Sequence, residues 1–427
     1  SNIARVCALM AGFREEIPAY TLMMQCGSSL QSVNCAANDI RCGDVDVAVA
    51  GGVEAMSATH FELWNARYGY GTGNNVLVDP IVEGAKRAQP QETYGVFGMG
   101  DTAENVAEQF HISREDMDEF AFHSQRKAAE AIAAGVFKDE IVPVVIPQRK
   151  KEPIVFDTDE QPRATTMEGL AKLKPVFRTD GKGKVTAGNS CGRSDAGAAL
   201  LLMSGEKVKE LGVKPMARIV AHAIVGVDPR IMGIGPVPAV RKVLEKAGLT
   251  LDDIGMIELN EAFAAQSLAV IRELGLDMAK VNVSGGAIAM GHPLGATGGR
   301  ILTTLVHGMK RTRTRYGIAT LCMGGGQGGA LDGVGARPQL VKEDQRLAVR
   351  LPENAHNVHH VGGKCGQTLG DGLLVAHVGQ HPAEHLYPAV VGDGDMQAAL
   401  GHEGEQADGL DGHRLSAGIG AGDYQGV

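Results

Sequence analysis

Two cysteines and one histidine, far apart along the chain, lie in runs of small residues and could act together on a thioester. Cys26 is followed by Gly-Ser-Ser, His292 stands between a glycine and a proline, and Cys322 precedes Met-Gly-Gly-Gly. A thiolate is both a good attacking group and a good leaving group, and a histidine can take the thiol proton. The three residues therefore predict acyl transfer through a thioester, with a nucleophile, a base and a second acid/base.

The segments around these residues predict how their chemistry is tuned. A helical run follows Cys26, and a helix N-terminus favours negative charge, so this helix and His292 together predict a lowered pKa for Cys26. Pro293 predicts an extended backbone at His292. The glycine run at 324–326 exposes backbone N–H groups, which suit an oxyanion.

Each candidate also has a structural interpretation. Cys26 and Cys322 could be buried structural thiols, and His292 an ordinary loop residue. Asn260 follows an apolar strand-like run and could hold a water or a carbonyl group, or cap the Ala-rich helix that comes next. Both roles for Asn260 remain open at this stage.

Two short patterns do not predict what they usually signal. Residues 188–192 fit the G-x-S-x-G nucleophile elbow, but the preceding residues make only a weak strand, so a serine nucleophile is not expected. Residues 324–329 fit G-x-G-x-x-G, but no βαβ unit with a suitably spaced acidic residue follows. We therefore do not expect a dinucleotide site.

Residues 1–335 alternate apolar strand-like runs with amphipathic helical runs, which indicates an α/β fold. The apolar spacing predicts a helix from Cys26 to a stop at Gly43, and Gly51-Gly52 is predicted to close the next strand. The remaining predicted elements are helices at Ser113–Ala134 and Val240–Ala247, and strands at Ile257–Leu259, Val281–Val283 and Gly317–Cys322. Residues 60–100 and 145–180 are predicted to be irregular.

The last segment, residues 336–427, has a different composition. It holds eight of the 14 histidines, six basic and twelve acidic residues, and no sustained helical or strand period. We expect a disordered or out-of-frame tail. His377, His381 and His385 have the spacing of metal ligands on a helix, but a glycine and a proline interrupt that helix, and no metal site is expected.

Composition narrows the class of protein. The 427 residues carry a formal net charge of -9, which argues against nucleic acid as a partner. No apolar run reaches the roughly 18–20 residues that a membrane helix needs, and no signal peptide is evident, so we expect no membrane association. Seven cysteines without framework spacing indicate reduced thiols and a cytoplasmic location.

Eight segments in a fixed order, from about Asn2 to Ala330, resemble the thiolase family of acetyl-CoA acetyltransferases and 3-ketoacyl-CoA thiolases. They are the Cys26 segment, Val49–Ser57, Met99–Asn105, Thr186–Asn189, Met232–Pro238, Asn260–Phe263, the His292 loop and the Cys322 turn. The resemblance implies an enzyme that makes or cleaves 3-oxoacyl-CoA. Its substrates would be coenzyme A thioesters, with no metal and no further cofactor.

The resemblance also implies roles for single residues. Cys26 would carry the acyl group after His292 draws its proton, and Cys322 would exchange the proton at Cα. His292 and a water on Asn260 would form one oxyanion hole, and the backbone amides of Cys26 and Gly324 the other. The positions implied to contact coenzyme A are Met99, Arg163, Phe177, Ala187, Cys191, Met232, Ala262 and Phe263.

The family fold implied is α/β, with two similar halves, each with a mixed five-stranded sheet, in an αβαβα layering. Residues 1–180 would form the first half, with a loop insertion at about 60–180, and residues 181–335 the second. Family members usually have about 60 residues before the segment that begins here, so we expect a truncated first half with uncovered sheet edges. A homodimer or homotetramer is implied.

Further departures concern the pocket. Gly98 stands where many acetyl-CoA-specific members have histidine, which favours a roomier pocket, and Cys191 stands where a serine usually meets the pantetheine. A thiol is the weaker hydrogen-bond partner, so a lower coenzyme A affinity is expected. Acyl chain length stays open between the two kinds of thiolase.

Two other functions compete. A non-catalytic remnant that binds coenzyme A or lipid would fit the truncated first half. A decarboxylating ketoacyl synthase of the same superfold would use one cysteine with two histidines. The Cys322 turn argues against the synthase.

Overall fold

A computed structural model describes residues 2–335 and 348–350, which all belong to one compact unit. The predicted tail at 336–427, including His377, His381 and His385, otherwise lies outside the described residues. Helices and strands alternate along the described chain, as the sequence predicts.

The α-helices of the described residues differ widely in length. They are α1 (Ile3–Met10), α2 (Ser28–Cys42), α3 (Pro80–Lys86), α4 (Gln91–Tyr94), α5 (Met99–Gln109), α6 (Arg114–Ala133), α7 (Met167–Ala171), α8 (Gly205–Glu210), α9 (Pro236–Ala247), α10 (Ala264–Leu274), α11 (Ala287–Met290) and α12 (Thr297–Thr312).

The strands of the described residues form one mixed sheet and one hairpin. They are β1 (Val47–Ala55), β2 (Val144–Gln148), β3 (Lys151–Phe156), β4 (Asp195–Met203), β5 (Ala217–Gly226), β6 (Ile254–Leu259), β7 (Tyr316–Met323), β8 (Gln327–Gly335) and β9 (Ala348–Arg350). The sheet has the order β1-β4-β9-β5-β8-β7-β6, and β2 pairs with β3 alone.

The sheet combines two groups of strands. In one group β1 and β4 pair antiparallel, and in the other β5, β8, β7 and β6 lie side by side, with β6 and β7 parallel. The short strand β9 pairs with both β4 and β5 and so joins the groups. Because β6 and β7 are parallel neighbours, their ends lie next to each other on the same side of the sheet.

Helix α12 lies at the centre of the packing. Its residues 297–309 are all buried, although the helix contains glycine, threonine and arginine. Its apolar side chains share one core with α2, β4 and β7, through Leu30, Leu200, Leu302 and Leu321. A second core covers the other side of the sheet, between α9, α10 and β6. The β6–β8 part of the sheet therefore lies between two helical layers, whereas the outer face of β1 is exposed.

Most predicted elements of the body are present, with shifted ends. Ser113 caps α6 as predicted, since its side chain accepts a hydrogen bond from the Asp116 backbone, and Gly43 ends α2 in the left-handed conformation. The predicted helix at Val240–Ala247 begins earlier, at Pro236. The predicted strand at Val281–Val283 is reduced to a single bridge with β6. The segments predicted to be irregular contain α3, α4, most of the β2–β3 hairpin and α7.

The Gly51-Gly52 pair does not close its strand, and that prediction is wrong. β1 continues through both glycines to Ala55, and Gly51 pairs with Ala199 of β4. A methyl group at Gly51 would overlap the backbone of Ala198. The glycines therefore allow close backbone approach within the sheet rather than a turn.

The contact between α2 and α12 also depends on glycine. A methyl group on Gly298 of α12 would lie 2.6 Å from Cβ and 2.9 Å from Cα of Leu30 in α2. The neighbouring Gly299 has more room, because a methyl group there would first meet Ala198 Cβ at 3.0 Å. Gly298 thus sets the distance between the helix that follows Cys26 and the helix that follows His292.

We expect Gly298→Ala to lower the free energy of unfolding by about 1–3 kcal/mol, because the added methyl forces α2 and α12 apart. Gly299→Ala is the matched control. In Gly299→Ala, the cost of the 3.0 Å contact with Ala198 Cβ is offset by the roughly 1 kcal/mol that alanine gains over glycine in a helix. Denaturant unfolding of both variants measures the difference, and equal stability of the two would contradict the packing argument.

Candidate active site

Cys26 lies in a tight turn that leads into α2, and its side chain is buried. Gln25 before it has a left-handed backbone, with φ of 49°, a conformation that is rare outside glycine. The turn between β7 and β8 packs against this turn, since a methyl group on Gly324 would lie 3.5 Å from Gln25 Cγ and one on Gly27 would lie 2.9 Å from Met323 Cγ. The backbone amides of Gly324 and Cys26 favour the charged form of the Cys26 sulfur.

The pKa of Cys26 is raised, whereas the sequence predicts that it is lowered. Burial raises it to about 11, and the charge of Glu54 adds to the rise, while the two amide donors oppose it. The prediction that the α2 N-terminus and His292 lower this pKa is wrong for the free enzyme, because a buried sulfur loses the water that would stabilise a thiolate. The resting Cys26 is a neutral thiol.

His292 is held by a short hydrogen-bond chain. Its Nδ1 lies 2.7 Å from the Thr297 hydroxyl, which in turn donates to the Pro293 carbonyl at 2.9 Å. Since the hydroxyl proton is used on Pro293, Nδ1 carries the proton that His292 donates to Thr297. Nε2 is buried without a hydrogen-bond partner and is the atom free to accept a proton.

The charge state of His292 suits a base. Burial lowers its pKa to about 3, and the positive charge of Arg300 lowers it further. The imidazole is therefore neutral at physiological pH. A neutral imidazole can take the proton of a neutral thiol only as that thiol attacks.

Asn260 follows β6 directly and is fully buried. Its side-chain amide lies 3.5 Å from His292 Nδ1, and its backbone N–H donates to Thr320 of β7. The alternative that Asn260 caps the next helix is wrong, since α10 begins at Ala264 and Phe263 occupies the cap position. Asn260 is thus a neighbour of His292.

Cys322 lies near the end of β7 and is completely buried. Burial raises its pKa, and proximity to Cys26 and Cys191 raises it further. The pKa of Cys191 is raised to about 12 by burial, with Cys26 as the next cause. The three sulfurs therefore lie within electrostatic range of one another, and Cys191 brings a third thiol to the site.

Several residues predicted to contact coenzyme A form an apolar cluster beside Cys322. Phe177 contacts Phe263 edge to face, with ring centroids 6.2 Å apart, and the Cys191 N–H donates to the Ala262 carbonyl. The predicted residues within this cluster are Met99, Met232, Ala262 and Phe263. They provide a nonpolar wall around the sulfurs.

Two predicted contacts lie outside this cluster. Arg163 and Ala187 have exposed side chains. Only the backbone N–H of Arg163 is anchored, donating to Gln125 Oε1 at 3.0 Å. The structure therefore does not bring these two side chains to the sulfurs.

Sequence reasoning missed Thr297, which fixes the proton on His292, because no pattern marks a threonine five residues downstream. The two discounted patterns hold no nucleophile or dinucleotide loop. Ser190 donates to the Thr186 carbonyl within a loop, and residues 324–326 form the hairpin turn between β7 and β8. Gly324 of this turn lies against Gln25, the residue before Cys26.

The comparison with family models decides the family. The model described as thiolase, N-terminal domain, matches residues 1–206, and the model described as thiolase, C-terminal domain, matches residues 213–332. The chain belongs to the thiolase family. This confirms the resemblance seen in the eight sequence segments.

Curated thiolases are similar over most of their length. An acetyl-CoA acetyltransferase of Pseudomonas aeruginosa is 54% identical over 331 residues, covering 77% of this chain and 83% of that protein. A beta-ketoadipyl-CoA thiolase of Acinetobacter baylyi is 49% identical over 335 residues, covering 77% of this chain and 82% of that protein. The protein is accordingly an acyltransferase of the thiolase type.

Solved thiolase structures share the fold. The Bacillus anthracis acetyl-CoA acetyltransferase superimposes with a TM-score of 0.75 at 48% identity, covering 79% of this chain and 84% of that one. A human mitochondrial 3-ketoacyl-CoA thiolase gives 0.74 at 42% identity, covering 78% and 83%. The predicted thiolase-like α/β fold is confirmed.

The part of the chain that the structure describes contains neither a metal-binding cluster of histidine, cysteine or acidic side chains nor a membrane-spanning helix. Among residues 2–335 and 348–350, no group of three or more histidine, cysteine, aspartate or glutamate side chains could hold a metal ion. No helix in the same part of the chain is both long and apolar enough to cross a membrane.

We expect the alkylation of Cys26 by iodoacetamide in the free thiolase to speed up continuously as pH rises towards about 11. The reason is that burial holds the thiol protonated below that pKa. Mass spectrometry of the Cys26 peptide measures the rate, and Cys26→Ala gives the background from other thiols. A plateau below pH 8 would mean that an ion pair with His292 already exists in the free enzyme.

Proposed function

We propose that this thiolase makes or cleaves 3-oxoacyl-CoA through an acyl-enzyme on Cys26. The observation that supports this most is the packing of the β7–β8 turn, which carries Gly324 and follows Cys322, against the turn that holds Cys26. Cys322 lies within electrostatic range of the Cys26 sulfur. A nucleophile, a backbone donor and a second thiol are what acyl transfer followed by carbon–carbon bond formation requires.

In the first step the Cys26 sulfur attacks the carbonyl carbon of an acyl-CoA as His292 Nε2 takes the thiol proton. The Gly324 and Cys26 amides then donate to the oxygen that becomes negative. Collapse of this intermediate breaks the bond to the coenzyme A sulfur, which leaves with the proton from His292. The product is a thioester on Cys26.

In the second step His292 Nε2 takes the proton of the Cys322 thiol, and the resulting Cys322 thiolate takes a proton from Cα of acetyl-CoA. The enolate oxygen accepts hydrogen bonds from the protonated His292 Nε2 and from a water on Asn260. The Cα carbon then attacks the Cys26 thioester, a carbon–carbon bond forms, and the Cys26 sulfur is released as a thiol with the proton from His292. Thiolysis is the same path in reverse. Two oxygen anions develop at different times, so two donor sites are needed.

The coenzyme A chain would approach along the apolar cluster. Phe177, Phe263 and Met232 supply nonpolar surface for the pantetheine, and their shared position beside Cys322 supports this route. Arg163 would meet the nucleotide end, for which its exposed side chain is suitable. Cys191 would contact the pantetheine with a thiol. A human mitochondrial 3-ketoacyl-CoA thiolase that shares this fold has been solved in complex with CoA.

We further propose a cytoplasmic homo-oligomer that works in fatty acid β-oxidation or in a related condensation. The free cysteines among the described residues support a reducing compartment. Exposed valines along β1, at positions 47, 49 and 53, support a subunit contact at this edge.

We expect Cys26→Ala to abolish acyl-enzyme formation, because it removes the sulfur that attacks the acyl-CoA carbonyl. Cys322→Ala should retain acylation by acyl-CoA and lose the carbon–carbon step, since its thiol acts only on Cα. Intact-protein mass spectrometry after acetyl-CoA treatment, with a thiolysis assay, separates the two steps. An acetyl adduct on the Cys26→Ala protein would count against the proposal, as would full thiolysis by Cys322→Ala.

Gly98 gives a test of acyl chain length. A methyl group there would meet only Asp101 Oδ2, at 3.7 Å, so the position has room for a side chain. We expect the thiolase to cleave a longer 3-ketoacyl-CoA at least as efficiently as acetoacetyl-CoA. Gly98→His should shift the ratio of the two kcat/KM values towards acetoacetyl-CoA by about tenfold. Gly98→Ala is the control. An unchanged ratio in Gly98→His would show that residue 98 does not line the acyl pocket.

A further inference from the structure

Glu261 carries a buried carboxylate beside the candidate active site. It follows Asn260 in the chain, lies between β6 and α10, and its side chain is only 2% exposed. Asn260 itself lies 3.5 Å from His292, whereas none of the steps proposed above uses Glu261. A buried acid is costly unless its oxygens are hydrogen-bonded, so its partners indicate what it does.

Three donors from three different segments point at the Glu261 carboxylate. Ser124 of α6 donates its hydroxyl to Oε2 at 2.6 Å, and the Ile288 backbone N–H of α11 donates to the same oxygen at 3.2 Å. Asn282 Nδ2 donates to Oε1 at 2.8 Å. Burial raises the pKa of Glu261, and these donated hydrogen bonds oppose that rise. Both oxygens therefore act as acceptors.

The contact with Asn282 fixes the end of β6. The Asn282 side chain exchanges two hydrogen bonds of 2.8 Å with the backbone of Leu259, the last residue of that strand. The same Nδ2 that donates to Leu259 also donates to Glu261. Asn282 has a left-handed backbone, with φ of 45°. The residue between Leu259 and Glu261 is Asn260, so this arrangement holds its position from both sides.

The contacts with Ser124 and Ile288 fix the segment before His292. The Ser124 hydroxyl that donates to Glu261 also accepts the Gly286 N–H at 3.1 Å, and Gln125 donates to the Ile288 carbonyl at 3.1 Å. A methyl group on Gly286 would overlap the Glu261 carboxylate. Helix α11 starts one residue later and leads through Gly291 to His292, so the carboxylate is packed directly against the loop that carries the base.

We propose that Glu261 is a positioning residue that sets the distance between Asn260 and His292, and with it the geometry of the enolate oxyanion hole. The inference rests on the proposed function, because it assigns a task within that same reaction. The carboxylate acts through its contacts and does not touch substrate. Each of its oxygens ties one partner of the Asn260–His292 pair to the same rigid group, which is what a preorganised donor site needs.

An amide cannot reproduce this arrangement. In Glu261→Gln one oxygen becomes an NH₂ group, which must face a donor, either Asn282 Nδ2 or the pair Ser124 and Ile288. Two donors repel each other, so one of the anchored segments has to move. The volume of the side chain is nearly unchanged, and the substitution therefore tests hydrogen bonding rather than packing.

We expect Glu261→Gln to lower kcat for thiolysis of acetoacetyl-CoA by about 10- to 100-fold, the size of effect that a small misplacement of catalytic groups causes. KM for coenzyme A should stay near the wild-type value, since the apolar cluster is untouched. Acyl-enzyme formation on Cys26 should still be detectable by mass spectrometry. A kcat within threefold of wild type, or a loss that merely follows the folded fraction, would overturn the inference.

Glu258→Gln is the matched control. Glu258 is also buried on β6, and burial raises its pKa to about 8, so a neutral amide preserves both its shape and its charge near pH 7. We expect its kcat to stay close to the wild-type value. A loss in kcat as large as that of Glu261→Gln would show that kcat depends on any buried acid in or just after β6, which contradicts the inference.

Ser124→Ala provides a second route should Glu261→Gln fold poorly. It removes the hydroxyl that connects Gly286 to Glu261, and we expect a loss in kcat with unchanged KM. In the double variant the losses should not multiply, because both changes break the same connection. Independent, multiplying losses would overturn the inference. If wild-type protein itself formed no acyl-enzyme on Cys26, the proposed function would fail instead.

Discussion

The contact between the β7–β8 turn and the turn that holds Cys26 is the one on which the site depends. It joins a hairpin turn of the second half of the chain to a turn in the first half, and about 300 residues separate the two along the sequence. The surrounding structure makes this contact possible. Strands β7 and β8 hold the turn, and the glycine-lined contact between α2 and α12 sets the depth of Cys26.

Burial is the second constraint, and it determines how the chemistry starts. Cys26 and His292 are both neutral in the free enzyme, because each has lost the water that would stabilise its charged form. Charge therefore develops only when a substrate carbonyl accepts electrons from the sulfur. Fixed donors such as the Gly324 amide are most effective in such a dry site, since no water competes with them.

The sequence predicts most elements of the body, because these depend on local signals, and it offers Cys26, His292 and Cys322 as the reactive residues from the small residues around them. Apolar periodicity places α6 and β7, and the small residues around Cys26 and Cys322 mark their turns. The failures have a common cause in tertiary contact. The raised pKa of Cys26 comes from burial that no local pattern reports. Gly51 is wrongly predicted to end its strand, because the sequence does not show its close pairing with β4.

Helix α6 has a consequence for how the thiolase can be divided. It lies in the region matched by the N-terminal family model, yet its Ser124 and Gln125 support the loop before His292, which belongs to the C-terminal match. A cut between the two matched regions, at 207–212, would separate the histidine from its support. Replacing either matched region alone by that of another thiolase would therefore require new contacts between α6 and the loop before His292.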